Sequence, residues 1–165
     1  MPTYRALPVD HPLSARLLTE YFTSRELGFT SGTYTTVRPA RATFEPPAGV
    51  FLVVQDDEDA VGCGGVRRIA PGPDGAVRYE VKHLWLQERT RGRGLGKALL
   101  LELERRAAEL GAEEMVLDTN ASLAAAAGLY AGAGYVGVEP YNDNPNANRW
   151  FRKVIDRSPI GRASS

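Results

Sequence analysis

The stretch Arg91-Gly92-Arg93-Gly94-Leu95-Gly96-Lys97 lies between a predicted strand and a predicted helix, and it decides how the rest of the chain is interpreted. Glycines at such a turn let the backbone approach a ligand closely. The free N–H groups and the positive dipole end of the following helix favour an anion, above all a phosphate. Arg89 adds a further cation just before the stretch. The pattern predicts a phosphate-binding turn, and the alternative is a tight turn with solvated arginines.

The stretch does not match two common nucleotide-binding motifs, because particular residues differ. A dinucleotide fingerprint, G-x-G-x-x-G, that began at Gly92 would need a third glycine at position 97, which is Lys97. A P-loop that ended in Gly96-Lys97 would need a hydroxyl residue next, and the chain has Ala98. Position 91 of that P-loop would have to be glycine, and it is Arg91. Nucleotide binding is therefore a disfavoured hypothesis.

The elements around the turn predict one mixed α/β domain. Apolar runs and turn residues place strands over 1–8, 50–54, 60–68, 77–87, 115–117, 135–138 and 149–155. Helices are predicted over 12–28, from the glycine-rich turn to Gly111, and over 122–131. Residues 29–48 are predicted to form an irregular connection or lid. The pattern predicts a mixed sheet with helices on its faces.

Local patterns give sharper expectations for three of these elements. Asp10 is a candidate N-cap for the first helix, because Pro12 suits a first helical position. An apolar stripe and a Glu102–Arg106 pair mark the long helix, the stripe consisting of Leu100, Leu103, Ala107 and Leu110. Strict alternation along 77–87 would place Glu80, Lys82, Leu84 and Leu86 on one face and Val81, His83 and Trp85 on the other.

Composition restricts the partners. The chain has 165 residues, with 20 Lys+Arg and 20 Asp+Glu. A net charge of zero argues against broad electrostatic binding to nucleic acid or to an anionic membrane. No apolar run approaches the roughly 20 residues that span a bilayer, and the N-terminus does not resemble a signal peptide. The lone Cys63 fits a reducing compartment, so we expect a cytoplasmic protein with one domain over 1–156 and a flexible tail over 157–165.

The turn resembles a known family signature. Arg91-x-x-Gly94-x-Gly96 matches [QR]-x-x-G-x-[GA], the acetyl-CoA signature of the GNAT superfamily of N-acetyltransferases. The residues before it, 84–89, resemble the strand and approach that precede that signature. The later stretch 129–135, Leu-Tyr-Ala-Gly-Ala-Gly-Tyr, is similar to the superfamily's L-Y-x-x-x-G-[FY] segment. The resemblance covers roughly 45–155 and implies the GNAT fold, a central mixed, twisted sheet of six to seven strands flanked by about four helices.

The resemblance also implies a cofactor site. Acetyl-CoA would be the cosubstrate, with its pyrophosphate on the amides of the turn and its pantetheine arm between two splayed parallel strands. The residues so implied are Leu84, Leu86, Arg89, Arg91, Gly92, Arg93, Gly94, Leu95, Gly96, Lys97 and Asn120. Leu84 and Leu86 would act through their main chain. For Asn120 the alternative, which we favour, is a cap on the next helix.

Two residues are candidates for the chemistry. Tyr130 matches the family's tyrosine that often donates a proton to the CoA sulfur, and the alternative is a packed aromatic ring. Glu80 is a candidate base for the acceptor amine, and the alternative is a salt bridge to Lys82. No metal is predicted, because His11, His83 and Cys63 do not form a ligand set.

The resemblance implies an N-acetyltransferase that moves acetyl from acetyl-CoA to a primary amine of a small molecule by direct attack. The alternatives are a non-catalytic acyl-CoA-binding or sensing module and an enzyme that acts on a protein amine. A homodimer is a further expectation from the family. The acceptor stays open among amino acids, polyamines, an antibiotic amine and a protein N-terminus. An acidic acceptor cavity would favour a polyamine or aminoglycoside, whereas an arginine in it would favour a carboxylate.

Overall fold

A computed structural model describes residues 2–29, 34, 36–120 and 124–155. Seven strands and three α-helices follow one another as β1 (Pro2–Ala6), α1 (Pro12–Gly28), β2 (Gly49–Asp56), β3 (Asp59–Ile69), β4 (Arg78–Leu86), α2 (Leu95–Glu109), β5 (Glu114–Thr119), α3 (Ala124–Gly132), β6 (Val136–Val138) and β7 (Arg149–Val154). Two short 3₁₀ helices, Arg41–Phe44 and Glu88–Thr90, bring the helical segments among these residues to five. The predicted order of elements is confirmed. The predicted tail lies outside the described residues.

All seven strands belong to one sheet, in the order β1-β2-β3-β4-β5-β7-β6. Neighbours are antiparallel except β4 and β5, which run parallel. Their pairing covers only Arg78–Glu80 against Glu114–Val116. Beyond Glu80 the two strands have no pairing with each other, so the edge of β4 that faces β5 is open. This splayed pair gives the site its place in the sheet.

A bulge interrupts β4 just beyond this point. His83 has a φ of 58°, and the pairing of β3 with β4 shifts register between Cys63 and Gly65. The extra residue reverses the pleat, since a shift by one residue exchanges the two faces of a strand. Leu84 therefore packs in the same core cluster as Val81, and the strict alternation predicted for this strand is wrong.

The sheet separates two apolar cores. On one face, α2 packs the predicted stripe against the strands, with Leu100, Leu103 and Ala107 fully buried. On the other face, α1 packs Leu17 and Leu18 among a second set of buried side chains. The buried residues of β2 alternate between the two cores, as expected for a strand that is covered on both faces.

The helix ends follow local chemistry. The side chain of His11, not that of Asp10, caps α1, because its Nδ1 accepts a hydrogen bond from the Leu13 amide at 3.1 Å. Pro12 occupies the start of the helix and leaves His11 at the N-cap position. The predicted pair on α2 is present, with Arg106 Nε 2.7 Å from Glu102 Oε2.

Candidate active site

The glycine-rich turn presents an open helix N-terminus. Gly92 and Gly94 have φ values of 80° and 72°, which glycine adopts without strain. Gly94 is the N-cap of α2, and no side chain caps that end. Apart from its own chain neighbours, a Cβ built on either glycine would meet no atom of the described residues within 4 Å, so that part of the chain leaves open space beside both glycines. Unpaired N–H groups at a helix start are a site for an anion such as a phosphate.

A cavity of about 290 Å³ runs from this turn along β4. Its walls include the predicted residues Leu84, Leu86, Arg91, Gly92, Gly94, Leu95 and Gly96. The open edge of β4 borders it, so main-chain groups that no strand engages are available to an extended ligand arm. The cavity therefore joins a helix N-terminus to an open strand edge.

The predicted cations do not all converge on this cavity. Arg91 lines it, whereas Arg93 pairs with Asp56 at 2.6 Å on the β2–β3 hairpin. Arg89 donates to Gln87 Oε1 at 2.9 Å and lies 3.4 Å from Asp59. Lys97 is exposed on α2 and is not part of the cavity wall. Of the four predicted cations, Arg91 alone lines this wall, where the backbone amides of the turn and Arg25 are further groups that can bind an anion.

A second cavity, of about 590 Å³, adjoins the first. Arg25, Leu84 and Tyr130 line both cavities, so the two meet at these side chains. The second cavity lies among α1, the residues before β2, the bulge of β4 and the β6–β7 loop. We call the first the donor cavity and the second the acceptor cavity.

Tyr130 is held firmly at the junction. The turn after α3 folds back on it, since the Tyr135 amide donates to the Tyr130 carbonyl at 3.0 Å. Its ring packs at 5.8 Å from that of Phe151 and at 6.1 Å from that of Tyr135, measured between centroids. Burial raises the pKa of Tyr130 to about 12. The phenol is therefore protonated at neutral pH and is able to donate.

Glu80 is buried beneath the acceptor cavity, and donors engage both of its carboxylate oxygens. Arg67 approaches Oε1 with Nε at 2.9 Å and Nη2 at 2.8 Å. Tyr141 donates to Oε2 at 2.6 Å, and Lys82 Nζ lies 3.5 Å from the same atom. The salt bridge to Lys82 that the sequence suggested as an alternative is present, although Arg67 is the closer partner. Glu80 does not line either cavity.

Asp118, at the end of β5, extends this polar network to the cavity wall. It accepts from Lys82 Nζ at 2.9 Å, from Asn142 Nδ2 at 2.7 Å and from Asn144 Nδ2 at 3.2 Å. Burial works against its charge, but Lys82 and the amide donors hold the pKa of Asp118 below its usual value. The β6–β7 loop, which the sequence marked as an ordinary turn, is thereby fixed to the two splayed strands.

Asn120 follows β5 and is buried in the wall of the acceptor cavity. Its Nδ2 donates to the Asn146 carbonyl at 3.3 Å, which ties it to the same loop. The residues 121–123, where a cap on α3 would be seen, lie outside the described residues. Asn120 therefore lies at the acceptor side of the junction, away from the glycine-rich turn.

Sequence reasoning missed Arg25. It lines both cavities, and its guanidinium lies 4.9 Å from the centroid of the Tyr21 ring. Burial opposes its charge, yet the phenols of Tyr21, Tyr130 and Tyr34 raise the pKa of Arg25. A signal was present, because Arg25 follows Leu18 by two helical turns and so interrupts the apolar stripe of α1.

Comparison with known proteins agrees with this geometry. The model of the acetyltransferase (GNAT) family matches residues 15–135. The chain belongs to the GNAT family. An uncharacterized N-acetyltransferase of Schizosaccharomyces pombe is 34% identical over 112 residues, which is 67% of this chain and 66% of that relative, just under two thirds of its length. The uncharacterized N-acetyltransferase YjgM of Escherichia coli is 28% identical over 144 residues, 84% of each chain.

The fold is also similar to that of a solved structure. The structure of yncA from Salmonella typhimurium with its cofactor acetyl-CoA superposes with a TM-score of 0.66 at 14% identity, covering 94% of this chain and 95% of that one. At this identity the match concerns the fold alone. It confirms the GNAT fold that the signature implied.

Three further observations concern metal ligands, membrane-spanning helices and the lone cysteine. Within the described residues, no group of three or more His, Cys, Asp or Glu side chains is arranged to hold a metal ion. In that same part of the chain, no helix is long and apolar enough to cross a membrane. Cys63 is buried, and burial raises the pKa of its thiol, so it is not suited to act as a nucleophile.

Proposed function

We propose that this protein is an acetyl-CoA-dependent N-acetyltransferase that acts on a primary amine of a small molecule. The observation that carries the proposal is the junction at Tyr130. There a donor cavity that starts at an uncapped helix N-terminus meets a second cavity large enough for a small acceptor. The match to the GNAT family supports the same activity.

The donor cavity is suited to acetyl-CoA in two ways. The pyrophosphate would be held by the α2 amides and by Arg91, whose side chain lines the wall. The main chain of Leu84 and Leu86 would bind the pantetheine arm along the open edge of β4. Acetyl-CoA supplies an activated thioester, and the chain's own task is to place an amine against it.

The chemistry at the junction needs one proton removed and one supplied. The attacking amine must be neutral, so its proton passes to a base or to water. The departing thiolate is stabilised by a donor, and the Tyr130 phenol is the group we assign to that role. Arg25 lies in the same wall and adds positive charge where negative charge develops.

We assign Glu80 a positioning role in place of the base. Its carboxylate oxygens already accept from Arg67 and Tyr141, and no part of it lines the acceptor cavity. A base must reach the proton that it abstracts. Glu80 would instead hold the β6–β7 loop in place, with a chain of waters taking the proton of the amine.

The two alternatives make different demands. A non-catalytic acyl-CoA sensor would need no acceptor cavity beside the thioester, and a cavity of about 590 Å³ there argues for turnover. A protein amine would need an open groove for its chain, and we favour a small molecule because α1 and the β6–β7 loop both line the wall. Homodimerisation and a cytoplasmic location remain proposals that rest on the family resemblance and the lone cysteine.

A screen for released thiol tests the proposal. The protein and acetyl-CoA are mixed with a library of primary amines, and free CoA thiol is measured with a thiol-reactive dye. We expect release that depends on the amine and an acetylated product by mass spectrometry. Acetyl-CoA binding without release for any amine in the library, together with an unchanged acetyl-CoA after prolonged incubation, would support the sensor instead.

A further inference from the structure

The charges of the acceptor cavity are unbalanced. Among the described residues that line it, four side chains are cationic, namely Arg25, Arg38, Arg67 and Lys82, whereas two are carboxylates, Asp118 and Asp143. A cavity that selected a polyamine would show the reverse balance, because ammonium groups require carboxylates. Glu80, buried behind the wall, pairs with Arg67 and brings the carboxylates to three, so one positive charge is in excess and the wall suits an acceptor that brings negative charge of its own.

The cations of the wall differ in whether a carboxylate already neutralises them. Arg67 pairs with Glu80 at 2.8 Å, and Lys82 pairs with Asp118 at 2.9 Å. For Arg25 and Arg38, no carboxylate of the residues that the structure describes lies within 4.0 Å. These two guanidiniums are therefore the charges that a ligand can neutralise.

Arg38 is the better placed of the two to recognise the acceptor. Arg38 lines the acceptor cavity and not the donor cavity, whereas Arg25 lines both. Its Nη2 donates to Thr19 Oγ1 at 2.9 Å, and its guanidinium lies 5.2 Å from the centroid of the Phe22 ring. These contacts orient the planar group and leave further N–H donors for a ligand, since a guanidinium carries five.

We propose that the acceptor is an amino carboxylic acid and that Arg38 binds its carboxylate. The inference rests on the proposed function, because it names the substrate class of the same site. A guanidinium binds a carboxylate through two parallel hydrogen bonds, which fixes the direction of the molecule as well as its affinity. Arg38 and Tyr130 line the same cavity, so a carboxylate bound to Arg38 would leave the amino group in the cavity that Tyr130 borders.

Matched pairs of acceptors test the proposal directly. Glycine, β-alanine and phenylalanine are each compared with their amides, which keep the amine and lose the negative charge. Binding is measured by calorimetry on protein saturated with CoA, and acetylation by release of thiol from acetyl-CoA. We expect at least one acid to bind and react at least about 10-fold better than its amide, since one charge-assisted pair supplies that much.

Variants of Arg38 test whether this residue causes the preference for acids over amides. Arg38→Ala should raise KM for the preferred acid by about 10- to 100-fold and leave KM for its amide unchanged. Arg38→Lys should restore part of the preference, because it keeps the charge without the fork. Arg41→Ala is the control, since Arg41 lies three residues along, pairs with Glu45 at 2.6 Å and does not line the cavity.

Each outcome decides one question. Amides that bind as well as the acids, or acids that neither bind nor react, would overturn the carboxylate proposal. So would an Arg38→Ala variant that keeps the full preference. Acetyl-CoA binding measured on the same sample separates the two levels, because its loss would overturn the proposed function, whereas its presence without acid preference would overturn only the substrate class.

Discussion

Removal of the Tyr130 hydroxyl is the sharpest perturbation of the proposed chemistry. Tyr130→Phe keeps the ring and its contacts with Phe151 and Tyr135. Only the hydroxyl of a residue that lines both cavities is lost. The variant should therefore fold normally and bind acetyl-CoA with an unchanged Kd.

The expected magnitude follows from one hydrogen bond to a developing charge. Such a bond contributes roughly 1.5–3 kcal/mol, and each 1.36 kcal/mol corresponds to a factor of about ten in rate. The kcat of Tyr130→Phe should therefore fall by about 10- to 150-fold. Because burial places the pKa of Tyr130 at about 12, its ionisation should not limit the wild-type rate below about pH 10.

The assay measures thiol release with an amine that the wild type acetylates, together with calorimetry for acetyl-CoA. Tyr135→Phe is the matched control, since Tyr135 is buried, donates to Glu104 Oε2 at 3.0 Å and does not line either cavity. It should lose stability, by about 1–3 kcal/mol, and keep its kcat. An unchanged kcat in Tyr130→Phe would remove Tyr130 from the mechanism.

Three other expectations follow from the site. Gly94→Ala should weaken acetyl-CoA binding more than Gly75→Ala does. Both glycines have positive φ and open space around them, so both variants carry the same backbone strain of roughly 1–2 kcal/mol and differ only in the contact with the ligand. Equal Kd values for the two variants would refute the role of the turn. Glu80→Gln should lower the melting temperature and raise the acceptor KM, with the pH profile of kcat retained; loss of the acidic limb of that profile would make Glu80 the base after all. Burial, and then the neighbouring cations, lower the pKa of His83 to about 3 in the folded protein, so as pH falls below about 6.5 the unfolded state binds the proton first and the folded state loses stability. His83→Phe should therefore flatten the dependence of the melting temperature on pH between 6.5 and 4. An unchanged slope would contradict this.

Much of the fold was accessible from the sequence because its signals are local. Apolar runs, turn residues and the glycine-rich turn fix the order of the strands and helices. The predicted cap of α1 and the predicted faces of β4 were wrong, each for a physical reason. A histidine side chain replaced the expected aspartate at one helix start, and the bulge at His83 exchanged the faces of the strand beyond it.

The candidate site was also predictable only in part from the sequence. The donor cavity is built from one contiguous stretch and the strand before it, so a motif was enough to find it. The acceptor cavity joins α1, the segment before β2 and the β6–β7 loop, which lie far apart in sequence. Nothing in a one-dimensional pattern states that Arg25 and Asp118 line one cavity, or that Arg93 would be drawn away by Asp56.

Calorimetric titration of acetyl-CoA and CoA, with ATP and NAD as controls, tests the central claim most directly. The account predicts micromolar binding of the two CoA compounds and no comparable binding of ATP or NAD, because the turn lacks the P-loop hydroxyl and the third glycine of the dinucleotide fingerprint. Absence of CoA binding, or equal binding of ATP, would contradict the assignment of the turn from Arg91 to Lys97 and the acetyl transfer proposed from it.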